Sequence, residues 1–423
     1  MSNPKAIRAW CLYDWADSAF ATTTMAAVLP IFFRKIAWGK PGPLPTAIWG
    51  YTTTIAMILS AVLALMLGPL ADSRGLKKRY LLVFTLIGAA ASSLTGLAGF
   101  GDWVWVAFFF ILADIGFSGC EVFYDSLLPH LAPASEINRI SARGYALGYL
   151  GGGLLLVLNA VMIAVFPKTI SSAGEPLPLW GMRLSLMSVG IWWVVFSVPL
   201  FRHVAEPPFE RQARQPAIRT TLTRLGRTFR EIKIYRNAFL FIVAFWLYND
   251  GIGTIIIMAT AYGDELGIGT LDLLGALLLT QFIGMPSSIG FGRLAERIGA
   301  KRGILIGLGV YLGIAVSGFF ISRAWHFWAL AGCVGLVQGG TQALSRSFFA
   351  SMIPKSRSAE FFSFYNISGK FAGILGPAVF ALTSQFTGSS RFGILSLLIF
   401  FVAGGALLIR VKTDPSDSKR TAG

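Results

Sequence analysis

The chain has 423 residues, of which 55% are hydrophobic and 13% are charged, and its mean hydropathy is +0.66. Soluble domains carry about 25% charged residues, so this composition excludes a soluble globular protein and predicts a polytopic membrane protein. The net charge of +16 would suit a nucleic-acid-binding protein, but the placement of the charges favours a different explanation, given below.

A helix that crosses a bilayer needs roughly 20 mainly apolar residues. Long apolar runs with frequent glycine favour helices over an outer-membrane barrel. The expected fold is therefore an all-α polytopic membrane protein. No signal-peptide pattern is visible at the start, so we expect no cleaved segment. Twelve segments meet the length requirement, at residues 10–33, 46–68, 80–100, 103–128, 140–166, 180–201, 238–262, 271–293, 303–322, 325–350, 360–383 and 391–410.

The basic residues are distributed unequally between the connecting segments. With twelve helices both termini share one side. When a residue no more than three positions from a span end is counted with the adjoining connection, 27 of the 36 Lys and Arg fall on that side and seven fall on the other side, while Arg346 and Lys370 lie deeper within spans. The positive-inside rule then places both termini in the cytoplasm, with the plasma (inner) membrane as the expected location. Anionic membrane lipids, and no nucleic acid, are the partners expected of this charge.

The longest polar interval divides the helices six and six. Within it Ile218, Leu222, Leu225, Phe229 and Ile232 recur at helical spacing, with basic residues between them, which predicts an amphipathic helix on the membrane surface. We favour an anchoring linker over a regulatory site. The predicted domains are an N-terminal six-helix bundle at 1–201, this linker at 202–237, a C-terminal six-helix bundle at 238–410 and a cytoplasmic tail at 411–423.

An internal repeat relates the two halves. Two sets of residues recur in register, at offsets of 224 and 225 residues, and two independent matches indicate a duplicated six-helix unit with pseudo-symmetric bundles. The first set pairs Gly68, Asp72 and Gly75 with Gly292, Glu296 and Gly299; the second pairs Pro129, Gly144, Gly148 and Gly151 with Pro354, Gly369, Gly373 and Gly376.

The first repeated motif, G-x-L-A-D/E-x-x-G-x-K-R, follows the second and eighth predicted spans and is expected to form a loop in each half. It resembles the cytoplasmic motif of the major facilitator superfamily. The first copy has Ser73 where Arg is usual, and the second has Glu296 where Asp is usual. Five further stretches resemble the "unknown major facilitator" branch, which includes the autophagy-related vacuolar amino-acid effluxers of fungi. They are Y-D-W-A-D-S-A-F at 13–20, R-G-Y-A-L-G-Y-L-G-G at 143–152, L-Y-N-D-G at 247–251, S-R-S-F-F at 345–349 and G-K-F-A-G-I-L-G-P at 369–377. Asp17 replaces an Asn that is usual in that branch.

The resemblance implies two six-helix bundles (the major facilitator fold) that rock about a central cavity, moving a small-molecule substrate, with amino-acid efflux as the first expectation. Charges within spans are costly, at about 2.5–3.5 kcal/mol each on insertion scales, and therefore mark candidate transport residues. The candidates for substrate binding or proton coupling are Asp14, Asp17, Asp114, Glu121, Tyr248, Asn249, Asp250, Arg346 and Lys370.

Each candidate has an alternative structural reading. Glu121 and Arg346 occupy one repeat position, and they pair with each other, clamp a zwitterion or snorkel to the interface. Asp250 is the favoured proton-coupling carboxylate, and a fixed Asp250–Lys370 ion pair is its alternative. Asp14 and Asp17 lie nearer a helix end, where structural capping or gate contacts are as plausible as substrate contact.

The repeated motifs are interpreted as a cytoplasmic gate, in which Asp72 and Glu296 cap the following helix and pair with basic residues. The glycine ladders are interpreted as close helix contacts first and sliding surfaces second. The gate set comprises Gly68, Asp72, Arg74, Gly75, Lys77, Lys78, Arg79, Gly292, Glu296, Arg297, Gly299, Lys301 and Arg302, and the packing set comprises Gly144, Gly148, Gly151, Gly369, Gly373 and Gly376.

Enzymatic readings find little support. Tyr13-Asp14 and G-F-G-D at 99–102 superficially match intramembrane aspartyl proteases, but Asp102 falls in a short turn. The three histidines, His130, His203 and His326, have neither metal-ligand nor triad spacing, and no Walker loop is present. We therefore expect no cofactor, no metal and no enzymatic activity. We also expect a monomer. A transporter-like sensor or a lipid- or drug-moving permease is the alternative function.

Overall fold

The computed structural model describes residues 3–38, 44–133, 135–170, 176–208, 236–266, 268, 270–387 and 389–412. The predicted amphipathic helix around Ile218 to Ile232 lies outside these residues. Side chains at several positions within the helices, Asp72, Arg74 and Lys370 among them, also lie outside the described part.

The described chain is almost entirely helical. The first helix is interrupted by π-helical turns at Phe20–Ala27 and Phe33–Trp38, which flank the short helix α2. A two-residue antiparallel ladder, β1 Thr169–Ile170 with β2 Pro176–Leu177, places Thr169 opposite Leu177. The helices are α1 Pro4–Ala19, α2 Val28–Phe32, α3 Leu44–Arg74, α4 Lys77–Thr95, α5 Trp103–Leu131, α6 Ile137–Val165, α7 Leu179–His203, α8 Arg236–Glu265, α9 Thr270–Ile298, α10 Ala300–Phe319, α11 Ala324–Met352, α12 Ser358–Thr387, α13 Ser390–Ser396 and α14 Leu398–Arg410.

Local chemistry explains where several helices begin and break. Asn3 caps α1, since its side-chain oxygen accepts hydrogen bonds from the backbone N–H groups of Lys5 and Ala6, and Pro4 occupies the first helical position. The predicted final span is divided at Leu397 into α13 and α14. Pro129 and Pro377 lie inside α5 and α12, each removing one backbone donor.

All twelve predicted spans coincide with helical backbone, but the two repeated motifs were expected to be loops and this was wrong for most of their length. Gly68 to Arg74 continues α3, and Gly292 to Ile298 continues α9. The polar residues there mark the last turns of long helices. The turns themselves are made by Gly75, with φ +61°, and Gly299, with φ +87°, values that glycine adopts without the steric cost of a Cβ.

Contacts divide the described chain into two compact units. The first unit comprises residues 3–127 and 147–208, and the second comprises residues 128–146 and 236–412. Residues 128–146, predicted as part of the N-terminal bundle, therefore pack with helices of the C-terminal half of the sequence. The division runs through α5 and α6, so the beginning of α6 belongs to the second unit.

The core of the first unit is built on aromatic side chains. Trp10 stacks on Tyr124 with ring centroids 4.4 Å apart, and each ring also bonds the other residue's backbone, since Trp10 Nε1 donates to Tyr124 O and Tyr124 OH donates to Trp10 O. Trp193 is fully buried against Phe20 and Phe117. Such pairs add about 0.5–1.5 kcal/mol each beyond area burial.

The second unit has its own aromatic core between α8, α11 and α12. Tyr365 stacks on Phe245 at 4.3 Å and on Phe349 at 5.0 Å, and Phe241 contacts Phe348 edge to face. All five side chains are buried. This packing fixes the three helices that carry the polar residues described below.

Apolar side chains on the outer faces of the helices remain exposed, among them Phe108, Ile191 and Ile399, each at least 60% exposed. Large apolar surfaces of this kind indicate contact with a nonaqueous phase. Six described helices are long and apolar enough to cross a bilayer, namely Trp103–Leu131, Ile137–Val165, Leu179–His203, Arg236–Ala259, Ala300–Phe319 and Ser390–Arg410.

Candidate functional site: buried polar groups in the spanning helices

Asp250 lies in the middle of α8 with only 1% of its surface exposed. Its Oδ2 accepts a hydrogen bond of 2.9 Å from the backbone N–H of Gly376 on α12. Its Oδ1 is buried and has no hydrogen-bond partner among the described residues. A buried carboxylate oxygen without a partner is costly, which singles out Asp250 among the predicted candidates.

Gly376 approaches α8 more closely than any other residue type would allow. A Cβ at this position would overlap Thr254 Oγ1 and would lie 2.8 Å from Asp250 Oδ1 and 3.0 Å from Asp250 O. All three neighbours are oxygens of α8, and Thr254 Oγ1 donates to Asp250 O at 2.7 Å. The absence of a side chain at Gly376 therefore allows α12 to pack directly against the Asp250 carboxylate.

Tyr248 and Asn249, also predicted as candidates, occupy different environments. Tyr248 is fully buried and its hydroxyl lies 2.6 Å from Ser345 Oγ on α11, while Gly404 on α14 packs against its backbone and Cβ. Asn249 is partly buried. Tyr248 thus joins α8 to the helix that carries Arg346.

Arg346 on α11 is 3% exposed, which argues against the expectation that its side chain snorkels to the interface. Its guanidinium donates to Ser141 Oγ at 2.9 Å and to Ser141 O at 3.0 Å. The same group lies 4.3 Å above the ring of Tyr145, in cation–π geometry. Ser141 Oγ in turn donates to Ala343 O at 2.8 Å.

The contact between α6 and the later helices continues on both sides of Arg346. Ser347 Oγ donates to Asn138 Oδ1 at 2.6 Å, and Arg139 lies 3.7 Å from Glu296 in a partly exposed ion pair. Asn138, Ser141 and Tyr145 are spaced three and four residues apart, so they share one face of α6. The sequence analysis did not select Asn138, Ser141 and Tyr145 as candidates, although their three- and four-residue spacing is visible in the sequence.

The acidic candidates of the first unit are largely buried. Asp14, Asp17 and Asp114 are 9%, 5% and 1% exposed, and Glu121 is partly buried. Ser60 Oγ on α3 donates to Asp114 Oδ2 at 2.7 Å. Glu121 belongs to the first unit and Arg346 to the second, so the proposed zwitterion clamp remains a prediction.

Two glycines of the packing set lie against α1. A Cβ at Gly148 would lie 2.5 Å from Ser18 Oγ, and one at Gly151 would lie 2.5 Å from Trp15 O. Gly144 is buried and Gly373 is partly buried, while the surroundings of Gly369 lie outside the described part. At Gly148 and Gly151 the absence of a side chain brings the α6 and α1 backbones together.

The lysines of the repeated motifs bind the ends of other helices. Lys78 Nζ donates to Phe201 O and Val204 O at the end of α7, and Lys301 Nζ donates to Ile409 O and Val411 O at the end of α14. Both lysines satisfy carbonyls that have no partner within their helix. The two lysines make the same kind of contact although they are 223 residues apart, one fewer than the offset of 224 that relates the two motifs.

The predicted capping role can be compared with the structure only for Glu296, because the side chain of Asp72 lies outside the described part. The N–H of Lys78 in the first turn of α4 donates to both carboxylate oxygens of Glu206, a residue that the sequence did not single out. Desolvation raises the pKa of the Glu206 carboxyl, against the lowering effect of the Lys78 and Lys77 N–H groups. At α10 the cap residue is Gly299, which has no side chain, and Glu296 faces Arg139 instead.

The remaining motif residues divide by exposure. Lys77 is 4% exposed and Gly292 is buried against Ala142, whereas Arg79, Arg297 and Arg302 are exposed. The surroundings of Gly68 and the side chains of Asp72 and Arg74 lie outside the described part, so the gate assignment for these three stays a prediction.

The described residues offer few groups for metal or thiol chemistry. No cluster of three or more His, Cys, Asp or Glu side chains suited to a metal ion occurs within the described ranges. Cys11 and Cys120 are buried, and Cys333 is partly buried. Asp102 lies in the turn before α5, where its carboxylate accepts a 2.7 Å hydrogen bond from the Gly99 N–H.

Comparison with known proteins places this geometry in a family. Residues 45–421 match the family described as "Vacuole effluxer Atg22 like". The chain belongs to the Atg22-like family of the major facilitator superfamily. It is 38% identical to the uncharacterized MFS-type transporter YxiO of Bacillus subtilis, over 97% of this chain and 96% of that protein.

More distant relatives agree with this assignment. Autophagy-related protein 22 of Coccidioides immitis is 23% identical over 100% of this chain and 89% of its own length. The crystal structure of the human organic anion transporter MFSD10 has the same fold, with a TM-score of 0.75, 14% identity, and coverage of 96% of this chain and 100% of that one. The Atg22-like chain is therefore an all-α integral membrane protein with the major facilitator fold, and a membrane transporter.

Proposed function

We propose that this Atg22-like protein is a secondary active transporter that moves amino acids by alternating access and couples their movement to protons, with efflux as its direction. The family description and the name of the Bacillus subtilis relative support transport. The proposal adds the substrate class and the coupling ion, and each rests on particular side chains.

The observation that carries the proposal is the polar contact between α6 and α11. Arg346, Ser141 and Tyr145 join residues from opposite halves of the sequence through hydrogen bonds and a cation–π contact. A contact made of polar groups can separate without exposing apolar core, because water can replace its hydrogen bonds. An apolar contact of the same area would lose about 25 cal/mol for each Å² exposed.

This polar contact fits a gate that closes and opens during each transport cycle. Alternating access requires two conformations separated by only a few kcal/mol, so that substrate binding can shift the populations. Glu296 and Arg139 extend the contact with a partly exposed ion pair, and such pairs contribute about 0–1 kcal/mol. We assign Arg346 as the main residue of the gate and the ion pair as a minor contributor.

Asp250 is the proposed coupling residue. It is buried in a spanning helix, one oxygen is bonded to the α12 backbone, and the other has no partner among the described residues. Ionisable groups placed this deeply in membrane helices commonly mark proton pathways. Asp14, Asp17, Asp114 and Glu121 are proposed as the acidic groups of the first unit that meet the substrate amine.

The proposed orientation follows the charge distribution, with both termini in the cytoplasm and the protein in the plasma membrane. The protein is proposed to act as a monomer with no cofactor. Because acidic and basic side chains both lie within the spanning helices, a zwitterionic solute would find partners for its ammonium and carboxylate groups.

The test is flux in proteoliposomes that contain the purified protein. A pH gradient is imposed, a panel of amino acids is supplied, and an internal pH dye and solute uptake are recorded together. Amino-acid movement accompanied by proton movement supports the proposal. Failure of every amino acid with folded protein would overturn the substrate class and direct the panel to lipids, drugs and sugars.

A further inference from the structure

The hydrogen bond between Asp250 and Gly376 joins two spanning helices at a weak point of α12. Gly376 donates its backbone N–H to Asp250 Oδ2 at 2.9 Å, and the next residue, Pro377, has no N–H to continue the helical ladder. At two successive positions of α12 the backbone N–H is therefore either donated to a side chain of another helix or absent. Kinks in helices occur at such positions.

The space beside Asp250 Oδ1 on the side that faces Gly376 is small. A Cβ added at Gly376 would lie closest to Thr254 Oγ1, Asp250 Oδ1 and Asp250 O, so this side of the carboxylate has no room for a methyl group. Sodium would need several oxygen ligands and room for its own radius. A proton needs only Asp250 Oδ1, which is the buried atom without a hydrogen-bond partner among the described residues.

We infer that Asp250 controls the backbone of α12 through Gly376: the ionised carboxylate holds the N–H of Gly376, and a proton on Asp250 Oδ1 weakens that bond and frees the Gly376–Pro377 segment to bend. This rests on the proposed function, in which Asp250 carries the coupling proton. It adds that α12 is the helix that responds to the proton, and that the backbone N–H of Gly376 transmits the response.

The physical basis is the difference between charged and neutral acceptors. Hydrogen bonds to an ionised carboxylate are about twice as strong as those to a neutral group. Protonation of Oδ1 leaves Oδ2 as a neutral carbonyl-type acceptor. The hydrogen bond from the Gly376 N–H then becomes weaker. It lies next to Pro377, where the helix already lacks a backbone N–H donor.

On α8 and on α11, α12 and α14, which pack against it, the other described charged or titratable groups contact other residues or lie near the helix ends. Tyr248 on α8 bonds Ser345, Arg346 on α11 binds Ser141 and Tyr145, and Tyr365 on α12 stacks on Phe245. Glu360 at the start of α12 pairs with Arg357. Gly251 of α8 lies against Phe400 and Phe401 of α14. The charged residue of α14, Arg410, is the last residue of that helix. The side chain of Lys370 on α12 is outside the described part.

The test is hydrogen–deuterium exchange of the purified protein in lipid nanodiscs, at one pH and temperature, without any solute. Asp250→Asn imitates the neutral carboxyl group with little change in shape. In the α12 peptide that contains Gly376, we expect this variant to exchange about tenfold faster than the unmodified protein, or more, because the charge-assisted bond is lost.

Two matched controls separate this effect from general loosening. Asp114→Asn neutralises a buried carboxylate of the first unit and should leave exchange in α12 unchanged. Thr254→Val removes the other side-chain oxygen beside Gly376 but keeps the carboxylate, and it should also leave that exchange within about twofold, as expected when no strong bond is lost.

Unchanged exchange in Asp250→Asn would overturn the inference, as would equal acceleration in Asp250→Asn and Asp114→Asn. A folded Asp250→Ala variant gives a second reading if Asp250→Asn is unstable, and the same acceleration is expected. Because no solute is present, these outcomes are independent of the flux experiment. The inference can therefore fail while transport of amino acids is established, and the reverse also holds.

Discussion

At the scale of single residues, the structure resolves which buried polar groups act together. Hydropathy was sufficient to predict that Asp250 and Arg346 lie within spans, because charges in long apolar runs are visible in the sequence. Their partners could not be predicted. Ser141 lies 205 residues from Arg346, and only helix packing brings them together. The repeat relates Tyr145 to Lys370, but equivalence under a repeat does not establish contact.

Replacement of Arg346 by Lys should loosen the contact between α6 and α11. Lysine keeps the charge but loses the paired hydrogen bonds to Ser141 and the planar stacking on Tyr145. In a background without the three native cysteines, Ser347→Cys provides a buried reporter. We expect its labelling by a small thiol reagent to become about tenfold faster with Arg346→Lys, as expected for the loss of one charged hydrogen bond.

The matched control for this labelling is Arg297→Lys, which changes an exposed arginine of the same region. It should leave the rate at Ser347→Cys unchanged. Equal rates in the Arg346→Lys and unmodified backgrounds would show that the guanidinium does not hold the contact closed.

Replacement of Gly376 by Ala should destabilise the protein. The added methyl group would overlap Thr254 Oγ1 and approach Asp250 Oδ1 to 2.8 Å, and overpacking of this kind costs about 1–3 kcal/mol. The thermal unfolding midpoint in detergent should fall by several degrees. Gly253→Ala on α8 is the control, since among the described residues no atom beyond the adjoining backbone of α8 lies within 4 Å of its added Cβ.

Gly253→Ala should keep or slightly raise the unfolding midpoint, because alanine is favoured over glycine in a helix by about 0.5–1 kcal/mol. A midpoint for Gly376→Ala that equals that of Gly253→Ala would contradict the close approach of α12 to α8.

At the scale of elements, the spans follow from apolar length, while their ends depend on details that hydropathy does not record. The repeated motifs contain enough polar residues to suggest loops, yet they extend α3 and α9 by one to two turns. Helical geometry tolerates polar side chains wherever they reach solvent. Single glycines, Gly75 and Gly299, mark the actual turns. The final helix breaks at Leu397, where no proline or glycine signals it.

Gly299→Ala tests the turn between α9 and α10. Gly299 has φ +87° and ψ 149°, a region that is accessible essentially only to glycine, and a non-glycine residue there costs about 1–3 kcal/mol. We expect a lower thermal midpoint than in Gly309→Ala, whose added Cβ would have no described atom within 4 Å beyond the adjoining backbone of α10. Equal midpoints in the two variants would indicate that alanine is accommodated at this turn.

At the scale of the whole molecule, the spans and the internal repeat were sufficient to predict an all-α membrane protein built from a duplicated six-helix unit, and the resemblance of the repeated motif implied the major facilitator fold. The grouping of residues 128–146 with the later helices was not predicted. It depends on polar contacts of Asn138, Ser141 and Tyr145, and such contacts leave no hydropathy signal. The amphipathic linker predicted within 202–237 remains a prediction.

The measurement that most directly tests the central claim compares uphill transport with exchange in Asp250→Asn. Proteoliposomes with an imposed pH gradient report accumulation, and vesicles with solute on both sides report exchange. We expect Asp250→Asn to abolish accumulation and to retain exchange, because a neutral side chain removes the proton step but leaves the conformational change. Asp102→Asn, in the turn before α5, should accumulate solute like the unmodified protein. Undiminished proton-driven accumulation in Asp250→Asn would contradict the proposal that Asp250 couples solute movement to protons.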